Sequence, residues 1–444
     1  MTPELDLASR WLGASVLAAS DESFGEKENL LTPTAAAFEP GHYGPRGEIV
    51  DGWETRRRRE PGHDWALIRL GAPGTISTID VDTSFFTGNH PQSCKIEACG
   101  YEGYPSPADL TDPATPWAEL VPASPLLGDT HNTFRVSDPR RFTHVRLSIY
   151  PDGGVARLRV LGQVIPDPRG LEHLTIDLAS QEYGGVAVAS SDEFYTSAGL
   201  LNRPDRARSM GEGWETRRRR DQGHDFVVFR LAFTGRVRQL IVDTAHFKYN
   251  ASAAVAAYGC VSAEAPLPTA VQTHSREEVA PAPSAHERGR EQVPAAESTH
   301  AYDGEVVPPS ESGQWLPLLP RTRLQPDTRH IFRTSLSEPV ALVRIDAFPD
   351  GGLSRVRVVG AIDPGARRAA AYRWLNSLPV GQAVQCLIDA GIGQEQASQI
   401  AGQRPLSPSW LDDLRDQSRP AWLDALSDQS LASLVALLTG QAPG

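Results

Sequence analysis

A block of eight residues, Gly-Trp-Glu-Thr-Arg-Arg-Arg-Arg, occurs twice in the chain, at 52–59 and 213–220. We call it the arginine block. The guanidinium group of arginine is a planar fork that binds a carboxylate through two hydrogen bonds, and the neighbouring glutamate can take or give a proton. In an extended segment the first and third arginines would enter a cleft while the second and fourth meet surface acids. A charge run is more often a solvated face, but an identical block in both copies favours a function.

Titratable residues follow each copy of the block at the same spacing. A His-Asp pair, His63-Asp64 or His224-Asp225, precedes an apolar run, and an aspartate ends the next run. A histidine among carboxylates suits general acid–base catalysis or a metal site, although aspartate at a strand end is commonly a turn residue. The spacing identifies no set of metal ligands. The candidate catalytic residues are Glu54, His63, Asp82, Glu215, His224, Asp243 and His246.

Candidate substrate-binding residues come from the same segments. Asn89 and Asn250 follow a strand end, where the loops of a sandwich gather ligands, although turn capping is the commoner role of such an asparagine. His246 has the position that Phe85 has in the first copy, so the two copies are not interchangeable. The candidate binding residues are Trp53, Arg56, Arg58, Asn89, Trp214, Arg217, Arg219 and Asn250.

These residues belong to two long internal repeats. The copies match with an offset of 161 residues from the arginine block to Cys99, and later segments match with an offset of 198. The difference is a 37-residue insertion within about 262–313, whose richness in Pro, Ala, Glu and Ser predicts a disordered loop. The repetition predicts two homologous domains at 10–165 and 172–363, followed by a separate segment at 366–444.

Each repeat contains short runs typical of β-strands. In the first copy, Asp64–Leu70 and Ile76–Asp82 have strand-like patterns. Pro-Asp-Gly-Gly at 151–154 predicts a hairpin turn that joins Val145–Tyr150 to Val155–Leu161. The second copy repeats these signals at Asp225–Leu231, Val237–Asp243, 349–352, Val343–Phe348 and Leu353–Val359. Helical periodicity is nearly absent, which predicts an all-β fold of two tandem antiparallel jelly-roll β-sandwiches.

The segment from 366 onward has a different pattern. Apolar residues at helical spacing precede a glycine stop at Gly391, and the spacing recurs in Trp410–Leu414 and Leu431–Leu438. These features predict a small C-terminal helical appendage.

The composition excludes several classes of protein. With 40% hydrophobic and 22% charged residues, the chain of 444 residues is globular rather than wholly disordered. A net charge of −12 argues against a nucleic-acid or anionic-membrane partner. No run of about 18 apolar residues predicts a membrane span, and the N-terminus lacks a signal-peptide pattern. Four scattered cysteines indicate reduced thiols, so we expect a cytoplasmic protein.

The repeated motifs together resemble the allantoicase family over about 12–363. The motifs that carry the resemblance are Ser23-Phe24, Asn29-Leu30-Leu31, the arginine block after Asp51, His63-Asp64-Trp65, 80–89, Arg146 and 150–162. The resemblance implies two jelly-roll domains related to galactose-binding modules, and a hydrolase that converts allantoate to ureidoglycolate and urea. It also implies a homo-oligomer. Because some family members are stimulated by a metal, a divalent ion such as Mn²⁺ is a candidate cofactor.

The chemistry of allantoate fits the candidate residues. The substrate carries one carboxylate and two ureido groups on a single carbon. A forked arginine can bind the carboxylate, carboxylates can accept the ureido N–H groups, and a histidine or carboxylate can activate water. A divalent ion is an alternative activator. Either repeat, or both, could be active, and the second copy departs from the first in having Glu212 in place of Asp51.

Two other functions are compatible with the predicted fold, since fold alone does not determine function. One is a pair of non-catalytic modules that bind a ligand or carbohydrate. The other is an inactive scaffold joined to a partner through the tail. Within the tail, Leu375–Pro379 and Arg404–Leu406 weakly resemble the start of ureidoimidazoline decarboxylase. The tail is too short for that enzyme, which favours a helical remnant or docking element.

Overall fold

The chain forms two antiparallel β-sandwich domains and a helical C-terminal segment, which confirms the predicted fold class. The computed structural model describes residues 3–44, 47–49, 51–268, 315–410, 412 and 426–441. Most of the predicted disordered insertion, at 269–313, lies outside the described residues.

Each domain is built around one eight-stranded sheet. The strands of the first domain are β1 (Leu5–Asp6), β2 (Ser15–Ala19), β3 (Tyr43–Gly44), β4 (Gly47–Glu48), β5 (Trp53–Glu54), β6 (Asp64–Asp82), β7 (Ser93–Cys99), β8 (Ala118–Pro125), β9 (His131–Arg135), β10 (Arg141–Tyr150), β11 (Gly154–Val155) and β12 (Arg157–Val164). The strands of the second domain are β13 (Thr175–Asp177), β14 (Val186–Ser190), β15 (Trp214–Glu215), β16 (Asp225–Asp243), β17 (Ala254–Cys260), β18 (Trp315–Arg323), β19 (Arg329–Arg333), β20 (Val340–Phe348), β21 (Gly352–Leu353) and β22 (Arg355–Ile362).

Helices are short within the domains and longer in the tail. The α-helices are α1 (Pro107–Thr111) in the first domain and α2 (Pro364–Ser377), α3 (Val380–Asp389), α4 (Gln394–Gly402) and α5 (Asp428–Thr439) in the tail. Single turns of 3-10 helix occur at Arg10–Leu12, Lys27–Leu31, Pro168–Leu171, Gln181–Tyr183, Ala198–Leu200 and Met210–Glu212.

The two sheets have the same topology. The first has the order β1-β12-β6-β10-β7-β8, with β2 and β9 also paired to β6. The second has the order β13-β22-β16-β20-β17-β18, with β14 and β19 also paired to β16. Separate two-stranded pairs, β5 with β11 and β15 with β21, join each arginine block to its Pro-Asp-Gly-Gly segment.

In each sheet the first and last residues of the long central strand, β6 or β16, lie at the same end of the domain. The first half of β6 pairs with β10, where Asp64 lies opposite Ile149. The second half pairs with β12, where Asp82 lies opposite Arg157. Because β10 runs directly into β12 through the Pro-Asp-Gly-Gly segment, Asp64 and Asp82 end up at the same end of the sandwich.

The prediction of two separate strands in this region is wrong. The runs Asp64–Leu70 and Ile76–Asp82 are halves of the single 19-residue strand β6. The glycines between them, Gly71 and Gly74, suggest a turn in the sequence, but they permit close approach of other backbone. An added Cβ on Gly74 would lie 2.2 Å from the Gln163 carbonyl oxygen. Strand β16 of the second domain has the same length.

The predicted hairpin at each Pro-Asp-Gly-Gly segment is also wrong. Strands β10 and β12 pair with different halves of β6 and not with each other, and β20 and β22 pair in the same way with β16. The segment is therefore a crossover between the two halves of the sandwich.

Each domain has its own apolar core, formed by alternate residues of the strands. Ile68 and Ile79 of β6 and Phe229 and Val242 of β16 are fully buried in these cores. This alternation is the period-two pattern that predicts half-buried strands.

The tail has a third core of its own and packs against the linker between the domains. Gly391, which follows the C-cap residue Ala390 of α3, has a φ of +81° and is the predicted glycine stop. The Arg169 guanidinium lies 4.4 Å from the centre of the Trp374 ring, and Ile165 is part of the tail core. Leu411 and Leu414, which belong to the predicted helical pattern, lie outside the described residues.

Two observations concern the thiols and the membrane. All four cysteines lie in the described part of the chain as free thiols. Burial raises the pKa of Cys94 and of Cys99 to about 12, so both thiols stay protonated near neutral pH. None of the described helices has the length and apolar character that a membrane span requires.

Candidate functional site

The tryptophan of each arginine block anchors the block to its domain. The Trp53 and Trp214 side chains are fully buried. Their indole N–H groups donate to the carbonyl oxygens of Asp21, at 2.8 Å, and Asp192, at 2.9 Å. A fully buried indole does not face a ligand in solvent, so these two predicted binding residues have a packing role. They fix the backbone that carries the glutamate and the arginines.

The glutamate of each block forms a hydrogen-bonded pair with the predicted binding asparagine. Asn89 Nδ2 donates to Glu54 Oε1 at 2.8 Å, and Asn250 Nδ2 donates to Glu215 Oε1 at 2.7 Å. Burial raises the pKa of Glu54, and the bond from Asn89 partly opposes the rise. The asparagine side chains thus orient a carboxylate, which differs from the turn-capping role that is commoner for asparagine at such positions.

The Pro-Asp-Gly-Gly segment holds the asparagine loop through close backbone contact. The Gly154 N–H donates to the Asn89 carbonyl oxygen at 2.8 Å. A Cβ on the equivalent Gly352 would lie 1.9 Å from the Asn250 carbonyl oxygen, so only glycine fits there. Gly153 has a φ of +138°, a conformation that also favours glycine.

The third arginine of each block points inward to a buried aspartate. Arg58 Nη1 lies 2.8 Å from Asp64 Oδ1, and Arg219 Nη1 lies 3.0 Å from Asp225 Oδ1. Both aspartate side chains are only 1% exposed. A buried carboxylate is costly unless it is paired, so these two predicted binding residues neutralise Asp64 and Asp225.

The first and second arginines differ in their surroundings. Arg56 Nε lies 3.5 Å from Asp21 Oδ2, and the Arg217 guanidinium lies 4.0 Å from the centre of the Phe194 ring. The second arginine of the second copy, Arg218, lines a cleft and takes part in none of the ion pairs formed among the described residues. Sequence reasoning missed Arg218, because simple alternation assigns the first and third arginines to the cleft.

The predicted catalytic His63 packs against an aromatic ring in a tilted arrangement. Its imidazole lies 4.7 Å from the Tyr150 ring, centre to centre. Partial burial, and then the positive charges of Arg58 and Arg146, lower the pKa of His63. Within the described chain, no hydrogen bond or ion pair joins it to Glu54.

Its counterpart His224 has an acidic partner as well. The His224 imidazole lies 4.6 Å from the Phe348 ring centre, and its Nε2 lies 3.1 Å from Asp346 Oδ2. The first domain has Ser148 at the position of Asp346. The two histidines thus share a tilted contact with an aromatic ring but differ in their polar contacts.

The two remaining predicted aspartates accept hydrogen bonds within turns, and His246 contacts a backbone carbonyl of a distant loop. Asp82 Oδ1 accepts the Ser84 N–H at 2.8 Å and its hydroxyl at 2.6 Å. Asp243 Oδ1 accepts the N–H of the residue two positions on, at 2.8 Å. His246 has a φ of +71°, and its Nε2 lies 3.0 Å from the Ala207 carbonyl oxygen. No hydrogen bond or ion pair between described residues joins these three side chains to Glu54 or Glu215.

A cleft of about 480 Å³ opens beside the glutamate–asparagine pair of the second domain. Its polar and aromatic walls include the predicted binding residues Arg219 and Asn250, and the full set is Tyr195, Glu215, Thr216, Arg218, Arg219, Tyr249, Asn250 and Asp350. In the first domain a cleft of about 330 Å³ is lined by residues 56–60.

Asp350 is a cleft residue that sequence reasoning assigned only to a turn. Its Oδ2 accepts a hydrogen bond from the backbone N–H of Arg219 at 3.0 Å. Burial raises the pKa of Asp350, and the negative charge of Asp225 adds to the rise. The cleft therefore combines two carboxyl groups, the guanidinium groups of Arg218 and Arg219, and an amide. This set can bind a small anion and exchange protons with it.

The donor set of the described residues does not fit a bound divalent ion, because no three of their His, Cys, Asp or Glu side chains are grouped to hold a metal.

Comparison with known proteins gives a consistent result. A family model described as "Allantoicase repeat" matches residues 5–165 and 176–363. A Streptomyces coelicolor protein named "Probable allantoicase" is 42% identical over 388 residues, which cover 84% of this chain and 90% of that protein. A Rhizobium meliloti protein of the same name is 40% identical, over 82% of this chain and 96% of its own. The crystal structure of allantoicase from Saccharomyces cerevisiae matches with a TM-score of 0.61 and 30% identity, over 80% of this chain and 93% of that one.

Proposed function

This chain belongs to the allantoicase family, and on that premise we infer that it hydrolyses allantoate to ureidoglycolate and urea. The main structural support for this reaction is the cleft of the second domain. The residues that line it include Glu215, Arg218, Asn250 and Asp350. The first domain has the same set of residue types at Glu54, Arg57, Asn89 and Asp152.

Binding of the substrate uses the charges of the cleft. Arg218 is the cation that meets the carboxylate of allantoate, since Arg219 is already paired with Asp225. The ureido groups are rich in N–H donors, and the carboxyl oxygens of Glu215 and Asp350 are acceptors in the same cleft.

The chemical step exchanges one ureido group for a hydroxyl. The oxygen of a water molecule forms a bond to the central carbon, and the bond from that carbon to one ureido nitrogen breaks. Glu215 takes a proton from the water, and Asp350 gives a proton to the leaving nitrogen, so urea departs neutral. The proton then returns from Glu215 to Asp350 through solvent. The raised pKa of Asp350 suits the acid role.

The other predicted catalytic residues are left outside the reacting set. His63 and His224 pack against aromatic rings, Asp82 and Asp243 accept hydrogen bonds within turns, and His246 contacts the Ala207 carbonyl oxygen. We propose that they position the loops around the cleft.

A urea-release assay tests the proposal. Purified full-length protein is incubated with allantoate, with and without Mn²⁺, and urea is measured by a colour reaction. We expect release by the wild type and a loss of about 100-fold or more in a Glu54→Gln/Glu215→Gln double variant. Absence of urea in both conditions contradicts the proposal. Allantoate binding without urea release would instead support a non-catalytic ligand-binding pair or an inactive scaffold.

We further propose that the enzyme acts in the cytoplasm as a homo-oligomer, with domain limits at 10–165 and 172–363. The free thiols suit a reducing compartment. Light scattering on the eluting protein tests the oligomeric state, and a monomeric mass contradicts it.

A further inference from the structure

We propose that allantoate is turned over in the cleft of the second domain, and that Tyr195 and Tyr249 are the residues that select it there. The inference rests on the proposed hydrolysis and deepens it, because it assigns the substrate to one of two similar repeats.

The first argument is the difference between the two clefts. Both domains contain the glutamate–asparagine pair, at 2.8 Å and 2.7 Å. In the second domain this pair lines the cleft, together with Arg218 and Asp350. In the first domain the cleft is smaller and is lined by residues 56–60, which do not include Glu54 or Asn89. In the second cleft a cation, an acid and a base line the same space, so they can meet one bound molecule.

The second argument is the exposure of Tyr249. Its side chain is 96% exposed although it lines the cleft. It directly precedes Asn250, the residue that orients Glu215. Among the described residues the Tyr249 ring stacks on no other ring and its hydroxyl forms no hydrogen bond. An aromatic side chain in this state contributes little to the fold and is available to a ligand.

Tyr195 forms a second aromatic wall. Its side chain is 57% exposed, and its ring meets Phe194 edge-on at 4.8 Å between centres. The matching indole hydrogen bonds to Asp21 and Asp192 align Tyr195 with Phe24, three residues further on in each copy, and the offset of 161 aligns Tyr249 with Gly88. The first domain therefore lacks both phenol hydroxyls and one of the two rings.

The tyrosine side chains that line the cleft, Tyr195 and Tyr249, suit the binding of a ureido group. A ureido group is planar, so its faces can stack on an aromatic ring, and its edges carry N–H donors and a carbonyl acceptor for phenol hydroxyls. Allantoate loses one ureido group and keeps the other. We assign the tyrosines to the group that is kept, since Glu215 and Asp350 serve the one that leaves.

Substitution of Tyr249 tests the proposal with little risk to folding. Tyr249→Gly gives the second domain the residue found in the first. We expect KM for allantoate to rise about tenfold, with kcat changed by less than about twofold, because the ring binds a part of the substrate away from the reacting atoms. Tyr249→Phe and Tyr195→Phe remove only a hydroxyl and should raise KM by less.

The matched control is Gly88→Tyr in the first domain, where an added Cβ meets nothing within 4 Å. We expect its KM to equal that of the wild type. A KM unchanged by Tyr249→Gly, or changed by Gly88→Tyr instead, overturns the proposal.

Calorimetric titration with allantoate separates this proposal from the hydrolysis itself. If the wild type binds allantoate and Tyr249→Gly weakens binding about tenfold, but no urea forms, the hydrolysis fails and the site assignment stands. If urea forms while binding does not depend on Tyr249, the site assignment fails and the hydrolysis stands.

Discussion

Asn250 donates its side-chain amide to Oε1 of Glu215 at 2.7 Å, and Oε2 of that carboxylate has no hydrogen-bond partner among the described residues. A carboxylate held at one oxygen and open at the other has a fixed direction in which to accept a proton from water. The arrangement converts a residue of the arginine block into an oriented base.

Removal of the orienting amide should impair catalysis more than binding. Asn250→Ala deletes a hydrogen bond to a charged group, worth about 1.5–3 kcal/mol, so we expect kcat to fall about 10- to 100-fold. Asn250→Asp adds a second negative charge beside Glu215 and should move the acidic limb of the pH–kcat/KM profile to higher pH. Asn89→Ala is the equivalent substitution in the first domain, and we expect it to lower kcat by a smaller factor. An acidic limb unmoved in Asn250→Asp contradicts the orienting role.

The acid role of Asp350 predicts an alkaline limb in the pH profile. Because burial raises the pKa of this carboxyl, its protonated form persists to higher pH than that of an ordinary aspartic acid. Activity should fall as the pH rises through that raised pKa. Asp350→Asn should lower kcat by about 10²- to 10⁴-fold and abolish the limb. If Asp350→Asn keeps the alkaline limb, another group donates the proton. Asp152→Asn, the equivalent substitution in the first domain, should lower kcat by a smaller factor.

The inward arginine should matter for stability. Arg219 neutralises Asp225, which also accepts hydrogen bonds from Ser191 at 2.9 Å and Thr216 at 2.6 Å. Arg219→Ala leaves a buried carboxylate unpaired, and we expect a loss of about 2–3 kcal/mol in the free energy of unfolding, since the arginine itself is partly exposed. Urea denaturation measures the loss. Arg220→Ala, at an exposed neighbour, should change stability by less than about 0.5 kcal/mol. Equal effects of the two substitutions would refute the pairing argument.

A buried histidine should make the first domain sensitive to acid. Burial, and then the charge of Arg69, lower the pKa of His144 to about 4, while the unfolded chain has about 6.5. Between these values the unfolded state binds more protons. The stabilising effect of neutral His144 is therefore complete above about pH 6.5 and is lost as the pH falls toward 4, by up to about 3 kcal/mol.

The second domain supplies the substitution that checks this prediction. Leu342 occupies the position equivalent to His144. His144→Leu should flatten the dependence of unfolding free energy on pH between 6.5 and 4, measured by denaturant titration at several pH values. If the unfolding free energy of His144→Leu falls with pH as steeply as that of the wild type, other titratable groups dominate the acid sensitivity.

The sequence predicts the fold class well because strand patterns and repeats are local signals. It fails at β6, since the glycines between Asp64–Leu70 and Ile76–Asp82 resemble a turn. Their actual role is to let distant backbone approach, as Gly74 does at Gln163. Which strands pair across such a distance is decided by packing in three dimensions, and no spacing in a single sequence reports it.

The candidate site is predicted in part for the same reason. Glu215 and Asn250 stand out because each recurs in both copies, and the structure joins them. Arg218 is missed because strict alternation turns the second arginine away from the cleft, whereas the second and third arginines both line it. Asp350 is missed because Pro-Asp-Gly-Gly has the composition of a turn. Trp214 is overinterpreted, because an aromatic side chain beside arginines is equally typical of a core.

The contact between each arginine block and its Pro-Asp-Gly-Gly segment spans a large sequence separation. The Gly153 N–H donates to the Thr55 hydroxyl 98 residues away, and the Gly351 N–H donates to the Thr216 hydroxyl 135 residues away. Contacts of this range carry a loop-closure entropy that is recovered only after most of the sheet has formed. The cleft is thus among the last parts of each domain to be completed during folding. In refolding experiments, recovery of urea release should lag behind recovery of the β-sheet circular dichroism signal, so that activity reports completion of the fold.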